Sequence, residues 1–138
     1  NLKIVGEGPQ REYLAQKSGP NVEFVGSIAW KKLPDIYQGA ACLILPSTYE
    51  PWGMVANEAQ ALGKPVVVTN SGGIRDIIEE DTGIITELTY DAFLDGLRFM
   101  MKHYVAFDPI HIRSKAYRFN QTNVLIQWDN VYTQILNL

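Results

Sequence analysis

ACLILPSTYEPWGMVANEAQALGKPVVVT, residues 41–69, reads as strand, loop, helix and strand. Residues 41–45 and 65–69 are short apolar runs that do not alternate with polar side chains, the pattern of strands covered on both faces of a parallel sheet. Between them residues 53–62 have helical character, and Gly63 closes them.

The same alternation continues outward. Towards the start, residues 2–5 read as a strand, 10–17 as a helix stopped by Ser18-Gly19-Pro20, 22–25 as a strand and 30–38 as a helix. On the other side come a helix over 74–79 and a last strand over 83–86. Helices follow over 90–104, over 109–117 behind an Asp108 cap, and over 122–136 behind Asn120. Strands flanked by helices throughout predict an α/β fold, a doubly wound parallel sheet with helices on both faces. It is expected to form one domain over 1–138 with a helical tail from about residue 90.

Composition narrows the class. With 138 residues, 46% hydrophobic and 20% charged, the chain is an ordinary globular sequence able to bury a core. Twelve Lys and Arg against 15 Asp and Glu give −3, which disfavours nucleic acid as a partner because a phosphate-backbone reader carries a basic surplus. The single cysteine, Cys42, lies inside the first apolar run and reads as a core residue in a reducing compartment. A strand that begins at residue 2, behind Asn1 and no leader, suggests a piece of a longer protein.

In doubly wound sheets ligands bind beyond the carboxyl ends of the strands, which directs attention to residues 6–9, 26–28, 46–53 and 70–73. Each loop contains glycine, and two run into helix starts, where free amides and the helix dipole favour an anion such as phosphate. Glycines also end strands in any α/β protein. Gly6-Glu7-Gly8 is not a dinucleotide fingerprint, because position 11 is Arg, and no Gly-Lys-Ser/Thr phosphate loop occurs. Ser47 and Ser71 lack evident His and Asp partners for a hydrolase triad.

Glu50 precedes the helix over 53–62 and Glu58 lies within it. The amides of Gly53, Met54 and Val55 fall between these carboxylates, so one carboxylate could take hexose hydroxyls, the amides a diphosphate and the other carboxylate the paired hydroxyls of a ribose. The spacing equally suits a solvated helix face and a loop carboxylate near a helix start. No metal site is expected, since neither an Asp-x-Asp motif nor a His, Cys and acidic cluster is present. His103 and His111 read as surface histidines, and the run Glu79-Glu80-Asp81 as a solvated turn.

Taken in order, Gly6 to Pro9, Phe24-Val25-Gly26, Pro46-Ser47, Glu50 with Glu58, Glu58 to Val67 and Gly72-Gly73 resemble the donor-binding half of a retaining GT-B glycosyltransferase, most closely glycosyltransferase family 4. The resemblance covers about residues 2–86. It implies that Glu58 binds the ribose and that Glu50, the catalytic candidate, lies beside the transferred sugar. It further implies that Trp52, Gly53, Met54 and Val55 contact sugar and diphosphate. Gly6, Gly8, Gly26, Ser27, Ile28, Gly72 and Gly73 would complete the donor site. Trp52 stands where Phe is commoner.

The function so implied is transfer of a hexosyl or N-acetylhexosaminyl group to a glycan or glycolipid acceptor. A nucleotide sugar would be the donor substrate, no cofactor is required, and the acceptor-binding N-terminal domain lies outside this chain. A cytoplasmic location, at the inner membrane face with peripheral association of the parent, goes with that reading. A nucleotide-sugar epimerase on a similar scaffold and a noncatalytic interaction domain are the alternatives.

Overall fold

The computed structural model describes residues 1–136; the last two residues of the expected tail, 137 and 138, lie outside the described residues. The chain sorts into two compact units, Asn1–Ile36 and the remainder from Tyr37.

In the first unit β1 (Leu2–Val5) pairs in parallel with β2 (Val22–Gly26), with α1 (Arg11–Lys17) between them in sequence. The register shifts after Ile4, so that Val5 faces Gly26 and the Gly6 amide donates to the Gly26 carbonyl at 2.8 Å. The helix expected over 30–38 is divided into a 3-10 turn, Trp30–Lys32, and α2 (Leu33–Gln38). Pro34 explains the break: it has no amide to donate back to residue 30, so a continuous helix through it would lose that bond. The boundary between the units falls within α2.

The second unit holds a parallel sheet of β3 (Leu43–Leu45), β4 (Val66–Thr69) and β5 (Gly83–Thr86), in that order, with β4 central. Every residue of β4 is buried, as its unbroken VVVT sequence requires. Val66 and Val68 pack with Ala56 and Ala59 of α3 (Met54–Ala61). Val67 turns to the opposite face. There Gly96 of α4 (Tyr90–His103) comes so close that a β-carbon on it would lie 2.5 Å from Thr86 Cγ2 and 3.7 Å from Val67 Cγ1. Helices therefore cover both faces of this sheet. Burying each valine contributes about 1.5–3 kcal/mol.

Helix α3 begins at Met54, one residue later than the sequence suggests, because Gly53 adopts a left-handed conformation (φ 95°) and serves as its cap. The helix ends with Gly63 and Lys64 donating to the carbonyls of Gln60 and Ala59, at 2.8 and 2.9 Å. This paired return satisfies two otherwise orphaned carbonyls.

In place of the helix expected over 74–79 the chain makes a 3-10 helix, Gly72–Asp76. Thr82 then folds the segment back: its hydroxyl accepts from the Glu79 amide and donates to the Glu79 carbonyl, both at 3.0 Å, while also accepting from Gln60 Nε2 at 2.9 Å. In the run expected to be solvated, Glu80 and Asp81 are exposed in a turn, and Glu79 and Asp81 are also ion-paired. Glu79 accepts from Lys115 and Arg118, each at 2.6 Å, and Asp81 pairs with His111 at 2.6 Å.

Lys115 lies on α5 (Pro109–Ala116), and Arg118 in the 3-10 turn that follows it, Tyr117–Phe119. Asp108 caps α5 by accepting from the Ile110 amide at 2.9 Å, as the sequence predicts. Asn120 does the same for Asn123 at the start of α6 (Gln121–Leu136), at 2.7 Å. Along α6 the side chains of Leu125, Trp128, Tyr132 and Ile135 are exposed, and Trp128 stacks on Tyr132 with centroids 5.8 Å apart. No described helix is long and apolar enough to cross a membrane.

Candidate functional site

Eight of the residues singled out in the sequence belong to the second unit: Glu50, Trp52, Gly53, Met54, Val55, Glu58, Gly72 and Gly73. The loops after β3 and β4, with α3 following the first of them, carry these residues, as parallel strands send their carboxyl ends to one edge. Several contacts stitch the two loops. The Thr69 hydroxyl donates to the Ser47 carbonyl, and the Gly73 amide donates to the Glu50 carbonyl at 3.2 Å.

Gly72 is the tightest point. Its φ is +61°, and a β-carbon there would sit 1.8 Å from the Glu50 carbonyl oxygen. At Gly73 a β-carbon would sit 2.6 Å from the Pro51 carbonyl oxygen. These glycines let one loop lie on the backbone of the other, and so they place Glu50. On the far side of the turn Arg75 Nε donates to Asn70 Oδ1.

The Glu50 side chain bends back to the helix it precedes. Its Oε1 accepts from the Gly53 amide at 3.0 Å, a carboxylate on the positive end of α3. Of the three amides expected to face an anion, that of Gly53 is thus already engaged. Met54 and Val55 have no carbonyl one turn earlier within the helix to bond, which leaves their amides for a ligand. Trp52 is partly exposed beside them, edge-on to Phe119 at 5.9 Å between centroids.

Glu58, exposed on α3, is held by a residue that the sequence reading does not single out. The Tyr37 hydroxyl donates to Glu58 Oε2 at 2.9 Å. The Tyr37 ring packs against the core formed by Ala56, Ala59, Val66 and Val68. Burial, and then the neighbouring Glu58 carboxylate, push its phenol well above the usual value, so it remains a donor. Tyr37 and Glu58 are 21 residues apart and share no motif. The only signal was an aromatic hydroxyl at the end of the short helix that leads into β3.

The remaining candidates, Gly6, Gly8, Gly26, Ser27 and Ile28, belong to the first unit. There Glu7 pairs with Arg11 at 3.2 Å and sets its carboxylate against Gly26, where a β-carbon would meet Glu7 Oε1 at 2.8 Å. The Gly8 carbonyl accepts from the Arg11 amide at 3.1 Å.

Other clusters share no residue with the site. A depression of about 400 Å³ is lined by Glu80, Asp81, Phe99, His103, Phe107 and His111, among others. Among the described residues no three His, Cys, Asp or Glu side chains are placed to hold a metal ion. Cys42 is partly buried, and burial pushes its thiol above the usual range.

A parallel sheet with helices on both faces, preceded in the chain by a separate parallel strand pair, is the α/β fold found in GT-B glycosyltransferases. The chain belongs to the glycosyl transferases group 1 family, whose model matches residues 1–116. An uncharacterized glycosyltransferase of Methanocaldococcus jannaschii is 39% identical over 85 residues, which make up 58% of this chain and 22% of that protein. The structure of a sucrose-phosphate synthase from Thermosynechococcus elongatus superposes with a TM-score of 0.83 at 28% identity, covering 99% of this chain and 38% of the synthase. HepE of Anabaena, solved in complex with UDP, shares the fold, with a TM-score of 0.78, 22% identity and coverage of 96% of this chain and 40% of HepE. The chain thus spans only about a quarter of the length of that archaeal relative.

Proposed function

We propose that this chain is the nucleotide-sugar-binding, C-terminal half of a retaining glycosyltransferase of the family 4 type, transferring a hexosyl or N-acetylhexosaminyl group to a glycan or glycolipid acceptor. One observation carries the reading: along the chain Glu50 precedes and Glu58 follows the amides at the start of α3, and Glu50 is fastened to Gly53.

A donor diphosphate would take the Met54 and Val55 amides, where the helix dipole stabilises its charge. Glu58 would accept from the paired ribose hydroxyls. Glu50 would accept from hydroxyls of the transferred sugar, against a wall formed by Trp52. In front-face displacement the bond from the anomeric carbon to the diphosphate oxygen breaks as the acceptor oxygen bonds to the same face of that carbon. The leaving diphosphate takes the acceptor's proton. Holding that diphosphate and orienting the hexose are this domain's contributions, and both lower the barrier by positioning and charge stabilisation.

The acceptor site and the other half of the cleft are assigned to an N-terminal domain of the parent protein. A cytoplasmic parent, peripherally associated with the inner membrane face, fits a lipid-linked acceptor. HepE, with its bound UDP, supports a nucleoside diphosphate ligand. Calorimetry of the chain against UDP, GDP and ADP, followed by product analysis of the whole protein with the corresponding sugar nucleotides, tests the proposal. Binding of one diphosphate and acceptor-dependent release of it are expected. Failure to bind any of the three, or turnover without an acceptor, would overturn it.

A further inference from the structure

The Tyr37 contact adds a component to this site. A lone glutamate on an exposed helix face samples several rotamers, and two hydroxyls held at a fixed separation engage a carboxylate best when its orientation is already set. Here one oxygen, Oε2, is tied at 2.9 Å to a hydroxyl whose ring is anchored in the core. A carboxylate offers about four acceptor positions. Tyr37 takes one and leaves Oε1 free, with a further lone pair on Oε2. The same hydroxyl lies 3.5 Å from the Val55 carbonyl, so it is lodged over the first turn of α3.

We infer that Tyr37 is a positioning residue for Glu58, fixing its carboxylate so that it engages both ribose hydroxyls together, and thereby sets the preference of the site for ribonucleotides over their deoxy counterparts. The inference rests on the assignment of Glu58 to the ribose. Tyr37 itself need not touch the ligand. Because its phenol stays protonated well beyond neutral pH, the donor persists across the working range of an enzyme.

The test compares Tyr37→Phe, Glu58→Gln and the double variant in the whole protein. Calorimetry with UDP, GDP and ADP and with their 2′,3′-dideoxy analogues gives the ratio of affinities for each nucleotide pair. Phe keeps the ring that packs on the core, and circular dichroism with a melting curve verifies that each variant is folded. Tyr37→Phe is expected to weaken the ribonucleotide about 3–10-fold, the scale of one lost hydrogen bond, while changing the dideoxy analogue by less than about 2-fold. Glu58→Gln should lose more, and the double variant should add little to Glu58→Gln because the residues act as a pair.

Equal losses on both ligands, or no loss at all, from Tyr37→Phe while Glu58→Gln still erases the ribose preference would overturn the role of Tyr37 and leave the ribose assignment standing. A ribose preference untouched by Glu58→Gln would overturn the assignment and this inference together.

Discussion

The backbone of Gly72 lies directly on that of Glu50, so close that a β-carbon at residue 72 would fall 1.8 Å from the Glu50 carbonyl oxygen. Gly72→Ala therefore forces the two loops apart and also places a side chain at a left-handed φ. We expect a loss of about 2–4 kcal/mol in chemical denaturation. Turnover of the whole protein should fall further than this stability loss explains, because Glu50 moves with the loop. Gly19→Ala, where a β-carbon meets nothing within 4 Å, is the control and should lie within about 0.5–1 kcal/mol of wild type. Equal stabilities for the two variants would refute the close approach.

Glu50 has two separable tasks. Gln at this position keeps an oxygen for the Gly53 amide but loses the charge, so Glu50→Gln should preserve the fold and the affinity for the free nucleoside diphosphate while lowering kcat. Glu50→Ala also removes the acceptor of the Gly53 amide and should lower stability by about 0.5–1.5 kcal/mol. A diphosphate affinity that collapses in Glu50→Gln with kcat unchanged would reverse the assignment.

Acid should weaken the second unit through Glu79. The hydrogen bond from Lys115, with the nearby positive charges, holds its carboxyl below the usual range, and His111 does the same for Asp81. A carboxylate with a lowered folded pKa gives stability that is fully present above its unfolded value, about 4.3 for Glu, and is lost as pH falls through the folded value. Lys115 is raised by the same contact; its contribution is the same interaction seen from the other partner and is not added to it. Lys115→Met should lower Tm at pH 7, and the gap from wild type should narrow as pH falls below about 4.3 and through the lowered folded value of Glu79. A gap that stays constant with pH would show that lost packing, rather than the ion pair, sets the difference.

Nucleotide binding is expected to be the same with and without a chelator. The donors assigned to the diphosphate are amides, and no described cluster of three acidic, His or Cys side chains stands beside them. Calorimetry with UDP, GDP and ADP in EDTA and in magnesium gives the comparison. A tenfold loss of affinity in EDTA would assign the charge stabilisation to a cation instead.

The strand pattern was readable because β3 is apolar at every position and β4 at all but Thr69, and such runs have few alternatives in a chain of this composition. Helix caps at Asp108 and Asn120 were readable for a local reason: each acts on amides two or three residues away. Where the sequence misled, the deciding contact was distant. Nothing near residue 74 announces that Gly72 must fit against Glu50, so an ordinary helix was expected there. The ion pairs of Glu79 and Asp81 reach 30 residues or more forward to α5 and the turn after it. Within the site, Glu50 and Glu58 stood out through their loop and helix setting, whereas Tyr37 depends on a tertiary meeting that no spacing rule encodes.

Trp52 gives the site a native optical reporter. Trp30 and Trp128 are more exposed, at 75% and 55%, against 40% for Trp52, whose ring meets the edge of Phe119. Changing Trp30 and Trp128 to Phe would leave a single emitter in the loop between Glu50 and the start of α3. Its fluorescence would then follow occupancy of this one place in real time, without a label attached to protein or ligand.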